Sequence, residues 1–230
     1  MKEISLNLKS IQDYRINESY KQLRTNIEFS GEENKIIAIT SCAPSEGKST
    51  VSLSTAYSLA EAGKKVLFID ADLRKSVLAG RYKVTGEMKG LTHFLSGQGD
   101  LSEILCKTNE KGLFVIFAGP VPPNPAELLG SKKFAALLKE ARNIYDYIII
   151  DTPPLGSVID SAIVSAACDA AILVISANTV SYKFARSVKD QLTKTGCNIL
   201  GVVLNKVSMK QNKYYGKYYG KYYGHYGSDN

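Results

Sequence analysis

Apolar residues in this chain fall into short unbroken runs separated by stretches of helical period. Ile36-Ile37-Ala38-Ile39-Thr40, Val66-Leu67-Phe68-Ile69, Leu113 to Phe117, Tyr147 to Ile150, Ala170 to Ile175 and Ile199 to Leu204 read as six strands. Runs that are apolar at every position suit strands buried on both faces. From Asn17 to Phe29, Tyr20, Leu23 and Ile27 line one side of a helix, and Glu18, Lys21 and Arg24 another. A second helix runs from about Lys48 to Ala62 and is closed by Gly63. Leu91 to Cys106 predicts two short helices broken at Ser96-Gly97-Gln98-Gly99. The prolines of Gly119-Pro120-Val121-Pro122-Pro123-Asn124 impose a rigid loop. Asn124 then caps a helix with Pro125 at its first position and Glu127 in capping-box register, extending to about Arg142.

Strands alternating with helices predict an α/β fold, a mostly parallel sheet flanked by helices on both faces. Ligands in such sheets bind beyond the carboxyl ends of the strands. The loop after Thr40, Asp70 and Asp151 all lie at such ends.

That loop has the chemistry of a phosphate site. In Ser45-Glu46-Gly47-Lys48-Ser49-Thr50, Gly47 allows close backbone approach and Lys48 meets the terminal phosphates. Ser49 offers a hydroxyl to Mg²⁺, and Thr50 reaches the α-phosphate. The helix beginning near Lys48 points its positive end at the anion. The full pattern G-x-x-x-x-G-K-[ST] asks for Gly where this chain has Cys42, so the loop is a variant of the P-loop; Cys42 reads as a small filler. Asp70 and Asp72, one residue apart at a strand tip, suit metal orientation or proton acceptance from an attacking hydroxyl. Asp151 after an apolar strand suits the second acid beside the metal.

Composition adds a boundary at the C-terminus. Residues 1–206 read as one P-loop NTPase-type unit that includes an N-terminal helix over 17–30. Residues 207–230 read as a flexible tyrosine-rich tail. Lys-Tyr-Tyr-Gly occurs three times from Lys213, followed by His-Tyr-Gly, so Tyr214, Tyr215, Tyr218, Tyr219, Tyr222, Tyr223 and Tyr226 make up half of the chain's 14 tyrosines. The net charge is +7, and five lysines against one acid between Lys206 and Asn230 supply part of it. The remainder is close to balanced and makes no separate case for nucleic acid. No apolar run reaches the roughly 18 residues of a membrane span, and no secretory leader opens the sequence. Scattered Cys42, Cys106, Cys168 and Cys197 suit a reducing cytoplasm. A phosphoryl-donor site and a dense set of hydroxyl acceptors in one chain suggest tyrosine phosphorylation of the chain's own tail.

The chain resembles the bacterial tyrosine kinases of capsule and exopolysaccharide synthesis (BY-kinases). The resemblance rests on Thr40 to Thr50, Ile69-Asp70-Ala71-Asp72-Leu73-Arg74, Ala118 to Pro125, Ile150-Asp151-Thr152-Pro153-Pro154 and the tyrosine cluster. It implies an ATP- and Mg²⁺-dependent protein-tyrosine kinase that autophosphorylates its tail and regulates polysaccharide synthesis and export. It implies catalytic roles for Lys48, Asp70, Asp72 and Asp151, with Asp72 as the proton acceptor. It assigns the metal to Ser49, Asp70 and Asp151, and ATP to residues 45–50. Asn205 enters as an adenine contact by likeness to related P-loop ATPases. The implied partners are a transmembrane polysaccharide co-polymerase adaptor that recruits the kinase to the inner membrane face, a tyrosine phosphatase, and further copies of the chain. Family members often form rings through Glu-x-x-Arg-x-x-Arg; here Glu18, Lys21 and Arg24 occupy that motif, and Lys21 cannot reproduce a bidentate guanidinium contact. The competing expectation is a switch or partition ATPase of the same fold that phosphorylates no protein. Such ATPases carry an extra lysine early in the loop, where this chain has Ala43.

Overall fold

The computed structural model describes residues 2–6, 8, 14–82 and 89–208. The tail tyrosines from Tyr214 to Tyr226 lie outside the described residues.

Every position of β2 (Ile36–Ser41) and β3 (Val66–Asp70) is buried, and β6 (Tyr147–Asp151) and β7 (Ala170–Ser176) nearly match them. Such strands need cover on both sides, and the pleat sorts their side chains by face. Ile37, Ile39, Phe68, Ile149 and Ile172 join a core with Val51, Leu53, Ala56 and Leu59 of α2 (Lys48–Glu61) and Ile27 of α1 (Tyr14–Glu28). Ala38, Leu67, Ile69, Ile148, Ile150 and Leu173 face the opposite core. There they meet Phe134, Leu137 and Leu138 of α7 (Lys132–Arg142), Val164 of α8 (Asp160–Ser165), and Val188 and Leu192 of α9 (Tyr182–Thr193). The remaining elements are α3 (Leu78–Arg81), α4 (Leu91–Leu95), α5 (Leu101–Ile104) and α6 (Pro125–Leu129).

With β1 (Lys2–Ile4), β4 (Leu105–Thr108), β5 (Leu113–Ile116) and β8 (Asn198–Asn205), the strands form one sheet in the order β1-β4-β5-β3-β6-β2-β7-β8. Pairing is parallel except between β4 and β5. The mostly parallel α/β architecture expected from the sequence is therefore present, with two additional strands at one edge. Register opposes Asp70 to Asp151, and Ile39 to Asp151 on the other side of β6. The phosphate loop and two acids thus meet at one sheet edge.

Three local expectations are corrected. The segment ending at Cys106 does not stay helical: α5 stops at Ile104 and Cys106 pairs with Val115 in the antiparallel β4–β5 ribbon. The helix from Pro125 to Arg142 is broken at Gly130-Ser131, where Ser131 caps α7 by accepting from the Phe134 N–H. Asn124 makes no side-chain cap bond, so the capping box with Glu127 does not form. Accordingly, Ser131→Ala should cost about 1 kcal/mol in urea denaturation. Asn124→Ala should stay within about 0.5 kcal/mol of the parent.

Candidate functional site

Lys48 opens α2 directly beneath the loop that leaves β2, and its amine lies among carboxylates. Lys48 Nζ donates to Asp151 Oδ1 at 2.8 Å and stands 4.0 Å from Asp72 Oδ2. It also lies 3.2 Å from Ser49 Oγ. Ser52, one helical turn after Lys48, donates to the same Asp151 oxygen at 2.8 Å. Lys48, Asp70, Asp72 and Asp151 are all buried. The structure thus gathers the four residues expected to act in catalysis, and adds Ser52, whose i+4 position on the P-loop helix was the available signal.

Asp70 sits deeper than its neighbours. Burial, reinforced by the charge of Asp151, pushes its carboxyl from 3.8 up to about 7, although Ser76 Oγ donates to it and Lys48 is near. Asp72 is held by its own loop: its N–H donates to Asp70 Oδ1 at 3.3 Å, and its Oδ1 accepts from Lys75 N at 3.0 Å.

The phosphate loop is braced from the far side of the sheet. Glu46 is buried, and its carboxylate accepts from Ala43 N at 2.7 Å and from Ser176 N, on β7, at 3.0 Å. Its side chain is therefore a strut, and what Glu46 can offer a phosphate is its backbone amide. Asn205, the last residue of β8, donates Nδ2 to the Glu46 carbonyl at 2.8 Å. Lys206 donates Nζ to the Ser45 carbonyl at 2.6 Å. Neither Glu46 nor Lys206 carried a sequence signal for this brace, because the contacts Glu46–Ser176 and Lys206–Ser45 each join residues more than a hundred positions apart. Ser45 and Gly47 take left-handed backbone, φ 65° and 86°. A Cβ on Gly47 would lie 2.2 Å from Asn205 Nδ2, so glycine is required there twice over. Cys42 has ordinary φ and is fully buried, which explains why its position does without glycine. Burial pushes its thiol up to about 11, as suits a filler rather than a nucleophile.

Thr50 lies exposed on the first turn of α2 and accepts from Arg81 Nη1 at 2.9 Å. The N–H groups of Lys48, Ser49 and Thr50 open a helix and have no carbonyl a turn earlier. Together with the loop amides they form an anion cradle. The donor set also fits a divalent cation shared with phosphates. Asp151 Oδ2 is buried and has no hydrogen-bond partner. Among the described residues, no group of three acid, histidine or cysteine side chains could hold a metal alone. Mg²⁺ is commonly bound through one or two carboxylates together with substrate phosphates.

The ring-motif residues stand apart from this site. Glu18 and Lys21 pair with each other at 2.8 Å on α1. Arg24 folds onto α2, donating Nη1 to the Ser58 carbonyl at 2.8 Å. Arg74 forms a two-bond ion pair with Asp160 at 2.7 and 2.9 Å.

Comparison with known proteins places this geometry. A family model described as an AAA domain matches residues 34–199. The tyrosine-protein kinase CpsD of Streptococcus agalactiae serotype Ia is 51% identical over 197 residues, covering 86% of this chain and 85% of that protein. Among solved structures, the kinase domain of Escherichia coli tyrosine kinase ETK superposes with a TM-score of 0.77 at 34% identity, covering 84% of this chain and 78% of that one. The septum site-determining protein MinD of Pyrococcus horikoshii OT3, complexed with Mg-ADP, gives a TM-score of 0.66 at 27% identity over 77% of this chain and 72% of its own.

Two outcomes test the site. Gly47→Ala should displace Asn205 and weaken nucleotide binding at least about tenfold, read by titration with a fluorescent ATP analogue. For Asp70, the folded-state pKa lies above the unfolded value, so the folded chain keeps a proton that the unfolded chain releases between 3.8 and about 7. Stability of the nucleotide-free protein should therefore fall as pH rises through that window, and Asp70→Asn should flatten the fall. Equal pH slopes for parent and variant in urea denaturation would contradict this.

Proposed function

The chain belongs to the bacterial tyrosine-protein kinases, and from that premise we propose that it transfers the γ-phosphoryl group of ATP to the tyrosines of its own C-terminal tail. The observation that carries the reading is the placement of Asp72 Oδ2 4.0 Å from Lys48 Nζ at the mouth of the phosphate loop. That distance supports reading Asp72 as the proton acceptor beside the lysine that would meet the terminal phosphate.

In this reading a nucleotide draws Lys48 away from Asp151 and onto its β- and γ-phosphates. Residues 45–50 wrap the phosphates with backbone amides, and Thr50 and Arg81 flank them. Asn205 keeps one amide N–H for the base. Mg²⁺ would supply charge neutralisation for the phosphates. Ser49, Asp151 and Asp70 would hold it, with Asp70 releasing its proton. A tyrosine hydroxyl attacks the γ-phosphorus in line, its proton passes to Asp72, and the bond to the β-phosphate oxygen breaks to leave ADP. Positioning and charge neutralisation supply most of the acceleration.

The acceptors are Tyr214, Tyr215, Tyr218, Tyr219, Tyr222, Tyr223 and Tyr226. The link from Lys206, anchored on Ser45, to Tyr214 is short, so the tail visits a neighbouring copy's site. Glu18 and Lys21, with Arg24 behind them, form the self-association face. Among the described residues, no helix is long and apolar enough to cross a membrane. We assign membrane recruitment to a transmembrane co-polymerase adaptor, tail dephosphorylation to a tyrosine phosphatase, and the pathway to capsular or exopolysaccharide synthesis. The likeness to MinD favours one alternative, a nucleotide-driven switch without protein phosphorylation. Phosphotyrosine detection after incubation with Mg-ATP separates the two.

Intact-mass spectrometry after that incubation should show successive phosphate additions on the parent chain and none on Lys48→Met, a loss of at least about a hundredfold in rate. Mixing Lys48→Met with a chain truncated after Lys206 should place phosphate on the Lys48→Met tail. Its absence there would rule out transfer between copies.

A further inference from the structure

The exits of three central strands are joined by a chain of polar contacts outside the phosphate site. Thr40 Oγ1, near the end of β2, donates to the Pro153 carbonyl at 2.9 Å. Pro153 follows β6, and Ser161 Oγ on α8 donates to the same carbonyl. The residue beside Ser161, Asp160, has no exposed surface; its carboxylate accepts Arg74 Nε at 2.7 Å and Nη2 at 2.9 Å. Arg74 lies two residues after Asp72, on the loop that leaves β3.

That loop is otherwise shaped from within. Asp72 N bonds Asp70, Lys75 N bonds Asp72, and Ser76 Oγ bonds Asp70. Its start is tied to β6 by Ala71 N donating to the Asp151 carbonyl at 2.8 Å. Internal bonds give the loop a shape, but they do not set its angle against β2 and α8. A fully buried carboxylate is expensive, and a well-packed apolar pair would often stabilise a protein as well. What a fork-to-carboxylate contact adds is direction, since two parallel bonds fix both plane and distance.

We infer that Arg74 and Asp160 form a positioning latch that holds Asp72 in register with Lys48 and the transferring phosphate, acting through the loop and not by contact with the nucleotide. The inference rests on Asp72 being the proton acceptor. Misplacement of a reacting group by about 1 Å can cost a hundredfold in rate without altering substrate binding.

The test is kinetic. Arg74→Lys keeps a counter-charge for Asp160 but loses the fork. Its kcat for tail phosphorylation should fall at least about tenfold, while KM for ATP and the Kd of a fluorescent ATP analogue stay within about twofold. The double variant Arg74→Gln with Asp160→Asn buries no unpaired charge; its melting temperature should return toward the parent while kcat stays low. A parental kcat in Arg74→Lys overturns the latch. So does recovery of kcat together with stability in the double variant, which would make the pair merely structural. Nucleotide affinity falling in step with kcat also overturns it, by making Arg74 a phosphate contact. Asp72→Asn is assayed alongside. A parental rate there overturns the assignment of Asp72, whereas a slow Asp72→Asn beside a parental Arg74→Lys overturns the latch alone.

Discussion

The buried contact between Lys48 and Asp151 is the constraint around which the rest of the structure is arranged. An ammonium and a carboxylate taken out of water are tolerated only when paired and hydrogen-bonded. The partners come from α2 and β6, so their contact locks the P-loop helix to the neighbouring strand. Ser52 adds a second donor to the same oxygen, while the other oxygen of Asp151 is buried without a partner. Lys48 is therefore held by Asp151, and one carboxylate oxygen of Asp151 stays unpaired. Asp70 meets the same problem in another way. Lying against Asp151 in the sheet and deeply buried, it holds a proton to about neutral pH. The buried charges of this cluster are thus offset by internal pairing and by proton uptake.

The walls of that site are braced from opposite directions. On one side, Glu46, Asn205 and Lys206 link the phosphate loop to β7 and the end of β8. Lys206 of this brace precedes the tyrosine repeat by only a few residues in the sequence. On the other side, Arg74, Asp160 and Ser161 link the loop carrying Asp72 to α8 and the exit of β6. Each brace spends a buried carboxylate, Glu46 or Asp160, on bonds within the protein. Both carboxylates are acids of the site that touch no substrate in the proposed mechanism.

The central strands were legible because they are apolar at every position and buried on both faces, although the similar run Ile199 to Leu204 forms the half-exposed edge strand β8. At one margin of the sheet β1 and β4 were not legible, whereas β8 at the opposite edge was. Lys2–Ile4 is short and half polar, and Leu105–Thr108 follows directly on a helical turn; both exist because β5 presents an unpaired edge for β4, and β4 in turn for β1. Pro125 to Arg142 reads as one helix by period, yet packing against α8 and the core splits it at Gly130. Capping potential is a local property, and Asn124 and Ser131 both had it; the path of the proline-rich loop decided that only Ser131 used it.

The order of residues along the chain was enough to pick out the P-loop segment, the strand-end acids and the tyrosine repeat. Each is a local pattern whose chemistry depends on neighbours within a few positions. Tertiary structure decided the rest: that Lys48 rests on Asp151, that Glu46 is a strut, and that Arg74 meets Asp160 instead of solvent. It also decided that Gly47 is confined by a side chain 158 residues further along. These are contacts between elements brought together by strand order, and strand order follows from how two apolar faces are covered at once. No run of local sequence encodes that, because the energy that selects it is shared across the whole sheet.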